Sequence, residues 1–307
     1  MKQPLLISLM GPTASGKTDL AIALAKETRG EIISVDSALV YKDMDIGTAK
    51  PSLEERQGVP HWLIDIKTPE QRYSVAEFVK DAIEKVNDIL MRGKVPILAG
   101  GTMLYFNALI NGMSDIPSSD ESVRKKVQTL IQQDGLEAVY EELSVVDPDI
   151  VKRIHPNDAQ RLSRAYEVYL ATGKPMSFWQ AQKRPGLSYR PMQFCLLPED
   201  RKALHSRIAM RFDGMLRSGL IDEVKFLLRT YQLNPDLPSM RSVGYRQIYA
   251  YLDKKDDLET MREKAIAATR QLAKRQFTWL RSWSDAHVLK SGDGGNLRHI
   301  VEKIGAT

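Results

Sequence analysis

With 307 residues, 43% of them hydrophobic, the chain is long and apolar enough to bury a sizeable core, which excludes a disordered chain and a small disulfide-held module. Its 44 Lys and Arg against 39 Asp and Glu leave a net charge of +5, a mildly basic balance that permits a polyanionic partner without demanding one. The single cysteine, Cys195 in the apolar run QFCLLP, rules out a disulfide framework, points to a reducing compartment and reads as a core thiol.

Residues 3–10 read as a buried strand. The apolar run LLISLM within them is too short for a signal-peptide core or a membrane span, so a cytoplasmic protein with no membrane partner is expected. KTDLAIALAKETRG then reads as a helix closed by Gly30, EIISVDS as a second strand, HWLID as a third and VPILAGG as a fourth. Between the last two, SVAEFVKDAIEKVNDILMRG opens with a Ser74/Glu77 capping box and carries Phe78, Val79, Ala82, Ile83, Val86, Ile89 and Leu90 at helical spacing. Strands alternating with helices predict an α/β fold built on a parallel, doubly wound sheet. From Ser114 the pattern changes to helices broken by Pro and Gly, in DESVRKKVQTLIQQDG, GLEAVYEELSVVDPD and PNDAQRLSRAYEVYLATGKP, with no strand alternation. MQFCLLP returns to the sheet, further helices follow, and AHVLKSG reads as a last short strand. Residues 114–189 are therefore expected to be a helical insertion, flanked by core segments 1–113 and 190–307, with no internal repeat.

The chemistry concentrates at strand ends. GPTASGKT, Gly11 to Thr18, fits G-x-x-x-x-G-K-[ST] between a strand and a helix, the context in which backbone N–H groups and a helix N-terminus hold phosphate oxygens. There Lys17 adds a charge at the outer phosphate, and the Thr18 hydroxyl is placed to ligate Mg2+. Asp36 ends the second strand beside this loop, as a general base, a magnesium ligand, or the cap of a turn through Ser37. No acid follows the fourth strand immediately, which weakens an ordinary ATPase or GTPase reading; Thr102 there is at the crevice edge or caps a helix. Arg207 and Arg211 are four apart on the helix RKALHSRIAMRFDGMLRSG, on a solvated face unless a guanidinium reaches the held phosphates. Residues 151–190 carry eight Lys or Arg against two acids, and MREKAIAATRQLAKRQFTWLR carries six against one, with Arg270, Lys274 and Arg281 on one side. Two such faces with RSVGYR between them suggest a nucleic-acid footprint. His61, His155, His205, His287 and His299 show no ligand spacing, so zinc is not expected, and Trp179, Trp279 and Trp283 read as packing residues.

Together GPTASGKT, SVDSALVYKDMDIGTAKP, GGTMLYFNAL, RIHPNDAQRLSRAYEVY, RSVGYRQ and TRQLAKRQFTWLR resemble the bacterial tRNA dimethylallyltransferases, or tRNA isopentenyltransferases, from about residue 5 to residue 283. The resemblance implies a P-loop NTPase-like core with an insertion that grips the tRNA anticodon stem. It implies transfer of a dimethylallyl group from dimethylallyl diphosphate to N6 of the adenosine 3′ of the anticodon, in tRNAs reading codons that start with U. The gripped diphosphate is then the leaving group. Carried over residue by residue, Gly11, Pro12, Thr13, Ala14, Ser15, Gly16, Lys17, Thr18 and Arg211 bind the diphosphate, with the Thr13 hydroxyl near the bridging oxygen and Mg2+ on Thr18. Asp36 takes the amine proton. Asp36, Ser37, Ala38, Leu39, Thr102, Arg124, Gln160, Arg161, Leu162, Ser163, Arg164, Arg241, Ser242, Val243, Gly244, Tyr245 and Arg246 line the tRNA path. Eukaryotic relatives carry a C-terminal zinc finger; a chain ending HIVEKIGAT resembles the shorter bacterial form, and a monomer is expected. The competing readings are a P-loop small-molecule or nucleoside kinase, which needs a base site and usually an arginine-rich lid, and a non-catalytic RNA-binding module.

Overall fold

The apolar run ISLM forms β1 (Ile7–Met10), all four side chains buried, and the glycine-rich loop leads from it into α1 (Lys17–Thr28). The computed structural model describes residues 4–117, 119–189 and 191–305. After α1 come β2 (Gly30–Val35), β3 (His61–Trp62), α2 (Val75–Met91), β4 (Val95–Gly100) and α3 (Met103–Asn111). A largely helical stretch follows: β5 (Met113–Ser114), α4 (Glu121–Val146), α5 (Pro148–Val151), α6 (Ala159–Thr172), α7 (Met176–Ala181) and β6 (Lys183–Arg184). The chain returns through β7 (Met192–Leu197), α8 (Arg201–Arg217), α9 (Leu220–Thr230), α10 (Tyr245–Leu252), α11 (Leu258–Arg281), β8 (His287–Lys290) and α12 (Asn296–Gly305). Contacts among the described residues divide the chain into two compact units, Met1–Ile110 with Tyr189–Thr307, and Asn111–Ser188.

The first unit holds a six-stranded sheet in the order β3-β2-β4-β1-β7-β8, parallel throughout. Parallel pairing forces a crossover between successive strands, and the helices that make the crossovers cover the faces. Alternate strand residues Ile7, Leu9, Ile32, Ile97, Phe194, Leu196 and Leu289 pack with Ala21, Leu24 and Ala25 of α1 and with Ile300 of α12 in one core. Helix α2 contacts β2 and β4 but contributes nothing to that core, burying Phe78, Ala82, Val86 and Ile89 elsewhere, so the sheet is doubly wound. The α2 capping box is formed: Ser74 Oγ accepts from Glu77 N–H at 3.1 Å, and the Glu77 carboxylate accepts from Ser74 N–H at 2.9 Å. Cys195 is a buried core residue, and burial pushes its thiol up to about 12.

The expected strands shift at their ends, the first to Ile7–Met10 and the second to Gly30–Val35, and two further differences have a backbone cause. Arg29, not Gly30, closes α1, taking a left-handed φ of 52° with its N–H donating to the Ala25 carbonyl. Gly30 instead starts β2, where a Cβ would lie 2.7 Å from the Val95 carbonyl oxygen, so glycine is needed for close approach. The expected strand HWLID pairs only at His61 and Trp62, because Leu63 and Asp65 turn to φ 62° and 57°.

In the second unit α4 breaks at Gly135 (φ 84°, ψ 172°), where the two sequence-predicted helices meet. Val127, Val139, Leu143, Ile150, Leu162, Ala165 and Val168 form its core, against which Trp179 packs. An antiparallel pair, β5 with β6, closes this unit, although no strand was anticipated there. Gln3 of the first expected strand and Arg190 of the basic count lie outside the described residues. Among the described residues no helix is long and apolar enough to cross a membrane.

Candidate active site

The phosphate loop is shaped by its backbone. Ala14 (φ 60°) and Gly16 (φ 82°) take left-handed conformations between β1 and α1, which curls the loop into the kind of concavity that gathers N–H groups around an anion. Lys17 folds back, its Nζ donating to the Pro12 carbonyl at 3.2 Å. The ends of β2 and β4 pinch together beside it. A Cβ on Gly100 would meet the Val35 carbonyl oxygen at 2.1 Å, and Gly11 N–H donates to the Gly100 carbonyl at 3.3 Å. Thr102 N–H donates to the Val35 carbonyl, and Thr102 Oγ1 accepts from Ser37 N–H at 3.1 Å, so the crevice-edge hydroxyl ties the end of β4 to the end of β2.

A cavity of about 610 Å3 opens at these strand ends. Thr13, Ala14, Lys17 and Thr18 of the loop, Asp36 to Leu39 and Thr102 after the strands, and Arg211 of α8 line it together. A smaller cavity of about 230 Å3 shares Ala14, Lys17, Thr18 and Arg211 and adds Ser15 and Gly16, so the loop lines both. Asp36 is half-buried; its Oδ1 accepts from Ala38 N–H at 2.8 Å, so it caps its own turn. It also acts on both cations. Burial pushes Lys17 down to about 8, with the Asp36 charge opposing the shift and Arg211 adding to it. Burial likewise lowers Arg211 from its ordinary value, again opposed by Asp36. The site thus holds two desolvated cations against one carboxylate, a surplus of positive charge suited to an anion.

The expected site residues divide by place. Ser37, Ala38, Leu39, Thr102 and Arg241 to Tyr245 line the larger cavity with Asp36. Gly11 and Pro12 are buried at the base of the loop, and Arg246 is exposed. Tyr245 is fully buried and its hydroxyl donates to Glu223 at 2.6 Å, so its polar end serves the protein. Arg124 and Gln160 to Arg164 belong to the second unit. There Leu162 was expected on a tRNA path but is a core residue with no exposed surface, because helical periodicity turns it inward from its polar neighbours. Arg164 donates to Ser119 Oγ at 3.2 Å and to the Pro117 carbonyl at 2.9 Å, holding the segment that precedes α4, while Gln160 and Arg161 are exposed.

Residues 39–283 match the family model described as IPP transferase. The chain belongs to that family. It is 52% identical, over 99% of its length and 98% of the relative's, to a tRNA dimethylallyltransferase of Coxiella burnetii strain Dugway 5J108-111. Its fold is similar to the crystal structure of a full-length tRNA isopentenylpyrophosphate transferase from Bacillus halodurans, with TM-score 0.72 and 37% identity, covering 99% of this chain and 96% of that one. It is also similar to a eukaryotic dimethylallyltransferase captured acting on tRNA, with TM-score 0.80 and 31% identity, covering 95% of this chain and 75% of that one. These are prenyltransferases, and the kinase alternative gains no support from them.

Two residues of this family member escaped the sequence reading. Gln276 of α11 accepts from Thr13 N–H at 3.0 Å and donates to the Gly101 carbonyl at 2.9 Å. Glu223 of α9 accepts from the N–H groups of Asp45, Ile46 and Gly47 at 2.7–3.1 Å and so anchors the long loop after β2. Gln276 sits inside the quoted block TRQLAKRQFTWLR, but its spacing there shows no target; Glu223 had no signal beyond a charge in the first turn of α9.

The lowered Lys17 ammonium makes a testable statement about pH. A bound anion raises its pKa, so binding above the free value requires proton uptake. Calorimetric titration with inorganic diphosphate will find affinity falling by up to about tenfold per pH unit above the Lys17 value of about 8, relative to Lys17→Met, in which that fall is absent.

Proposed function

We propose that this chain transfers a dimethylallyl group from dimethylallyl diphosphate to N6 of the adenosine 3′ of the anticodon, in tRNAs reading codons that start with U, and that it does so in the cytoplasm as a monomer. The observation that carries the reading is that Lys17, Arg211 and Asp36 meet in one cavity lined by the phosphate loop, two desolvated cations coupled to one carboxylate. The names of the relatives supply the substrate class.

In this reading the loop amides, Lys17 and Arg211 stabilise the charge that develops on the diphosphate as the allylic carbon–oxygen bond breaks. Thr13, at the cavity wall, supplies a hydroxyl near the bridging oxygen. N6 of the extruded adenine forms the new bond to carbon, and its proton passes to Asp36, whose second oxygen is free of the Ala38 turn contact. Conjugation with the purine makes that amine a poor nucleophile, so a carboxylate that accepts its proton as the bond forms lowers the barrier. The residues also fit a magnesium ion that keeps most of its waters: Thr18 is exposed at the loop's end, and no cluster of three or more His, Cys, Asp or Glu suited to a metal occurs among the described residues. Thr18 would hold that ion, which supplies positive charge at the phosphate oxygens when bound. Within the second unit, Arg124, Gln160, Arg161 and Ser163 suit the phosphates of an anticodon stem, and in the first unit the exposed Arg270, Lys274 and Arg281 of α11 suit RNA phosphates as well.

The test is nucleoside mass analysis of undermodified tRNA after incubation with the protein, Mg2+ and dimethylallyl diphosphate. One N6-prenylated adenosine per tRNA, next to the anticodon, is expected; unmodified nucleosides, or prenyl groups scattered over many adenosines, contradict the reading.

A further inference from the structure

Thr13, whose N–H Gln276 holds, lines the cavity, and the Gly101 carbonyl that receives the Gln276 amide N–H precedes Thr102, which lines it too. Thr102 in turn fixes Ser37, the neighbour of Asp36. A single planar amide thus ties the phosphate loop to the end of β4 and, through Thr102 and Ser37, to the segment that carries Asp36. The approach is close: a Cβ on Gly101 would lie 2.5 Å from Gln276 Nε2, so glycine there and glutamine on α11 depend on each other. Gln276 itself lines the cavity, and Leu272, Arg275 and Trp279 of the same helix line it too.

We propose that Gln276 is a positioning residue that fixes the distance between the leaving diphosphate and the base that receives the proton. This rests on the transfer reading above and deepens it. The side chain touches neither reacting group; it acts through the Thr13 backbone on one side and through Gly101, Thr102 and Ser37 on the other. With its N–H committed to Gln276, Thr13 leaves the later loop residues, Ala14 to Thr18, to supply the amides that meet the diphosphate. Tight positioning matters because a misplacement of about 1 Å between reacting groups costs about 100-fold in rate.

The amide offers one acceptor and one donor, and a protonated carboxylic acid reproduces that pair whereas a carboxylate does not. Gln276→Glu is therefore compared with the wild type and with Gln276→Met in single-turnover transfer at saturating tRNA and donor, from about pH 8 down to about pH 5.5, across the range where a buried glutamate protonates. At the upper pH both variants are expected to fall roughly 100-fold below wild type. On acidification the ratio of Gln276→Glu to wild type rises at least tenfold, while Gln276→Met stays low throughout. A Glu ratio that does not change with pH overturns the proposal, and so does a Gln276→Met variant that matches wild type, since the loss in Gln276→Glu would then be charge repulsion alone. If the wild type transfers nothing, the transfer reading fails. The same three proteins titrated with inorganic diphosphate over the same pH range then decide the hold on Thr13: acid recovery of affinity in Gln276→Glu together with a persistent loss in Gln276→Met supports it, and any other pattern overturns it.

Discussion

Replacing Asp36 by Asn will lower the single-turnover rate of transfer by about 10³-fold while tRNA affinity, and diphosphate affinity at pH below the Lys17 titration, stay within a few-fold of wild type. Asn keeps the oxygen that accepts from Ala38 N–H, so the turn after β2 survives and the loss falls on proton acceptance. The substitution has a second consequence. The Asp36 charge favours the protonated form of Lys17, so its removal moves the Lys17 pKa below its value of about 8. The alkaline fall in diphosphate affinity therefore shifts to lower pH. Rapid-quench transfer assays and calorimetry across pH measure the two effects separately; near wild-type transfer in Asp36→Asn would remove this residue from the role of base.

Arg211→Gln is expected to reduce kcat/KM for the diphosphate donor by about 100-fold, roughly 2.7 kcal/mol of lost transition-state stabilisation. Arg211 lines both cavities that share the loop, and its guanidinium is already partly desolvated with Asp36 as its charge partner, so a bound anion replaces hydration it lost on folding. Its effect on Lys17 is opposite in sign to that of Asp36. Arg211 disfavours the protonated ammonium, so its removal raises the Lys17 pKa and moves the alkaline fall in affinity to higher pH. The two variants thus shift one titration in opposite directions, which a nonspecific loosening of the site would not do. Steady-state kinetics with varied donor, paired with the same calorimetry, check both parts.

Much of this was legible because it is local. The phosphate loop, Asp36 at the end of β2 and the Ser74/Glu77 box each lie within a few residues of the strand or helix that places them. Periodicity gave the parallel sheet, since strands buried on both faces read as continuous apolar runs. What the chain did not reveal depends on contacts across large sequence distances. Gln276 reaches Thr13 from 263 residues away and Glu223 reaches the backbone at Gly47 from 176. No spacing rule encodes such a pair. Burial within a polar block was hidden too: Leu162 and Tyr245 stand among residues suited to RNA, and only packing turns the first into a core and the second onto Glu223. Gly30 misled for a related reason. A glycine after a helix suggests a cap, but here the backbone of β4 lies too close for any Cβ.

The most direct test of the account follows both halves of the donor at once, with carbon label in the dimethylallyl group and phosphorus label in the diphosphate, incubated with the protein, Mg2+ and undermodified tRNA. Carbon label bound to tRNA, matched mole for mole by intact labelled diphosphate in solution, is the predicted result. Phosphorus label on tRNA or on any acceptor, with the prenyl group left behind, would contradict a loop that steadies a leaving group.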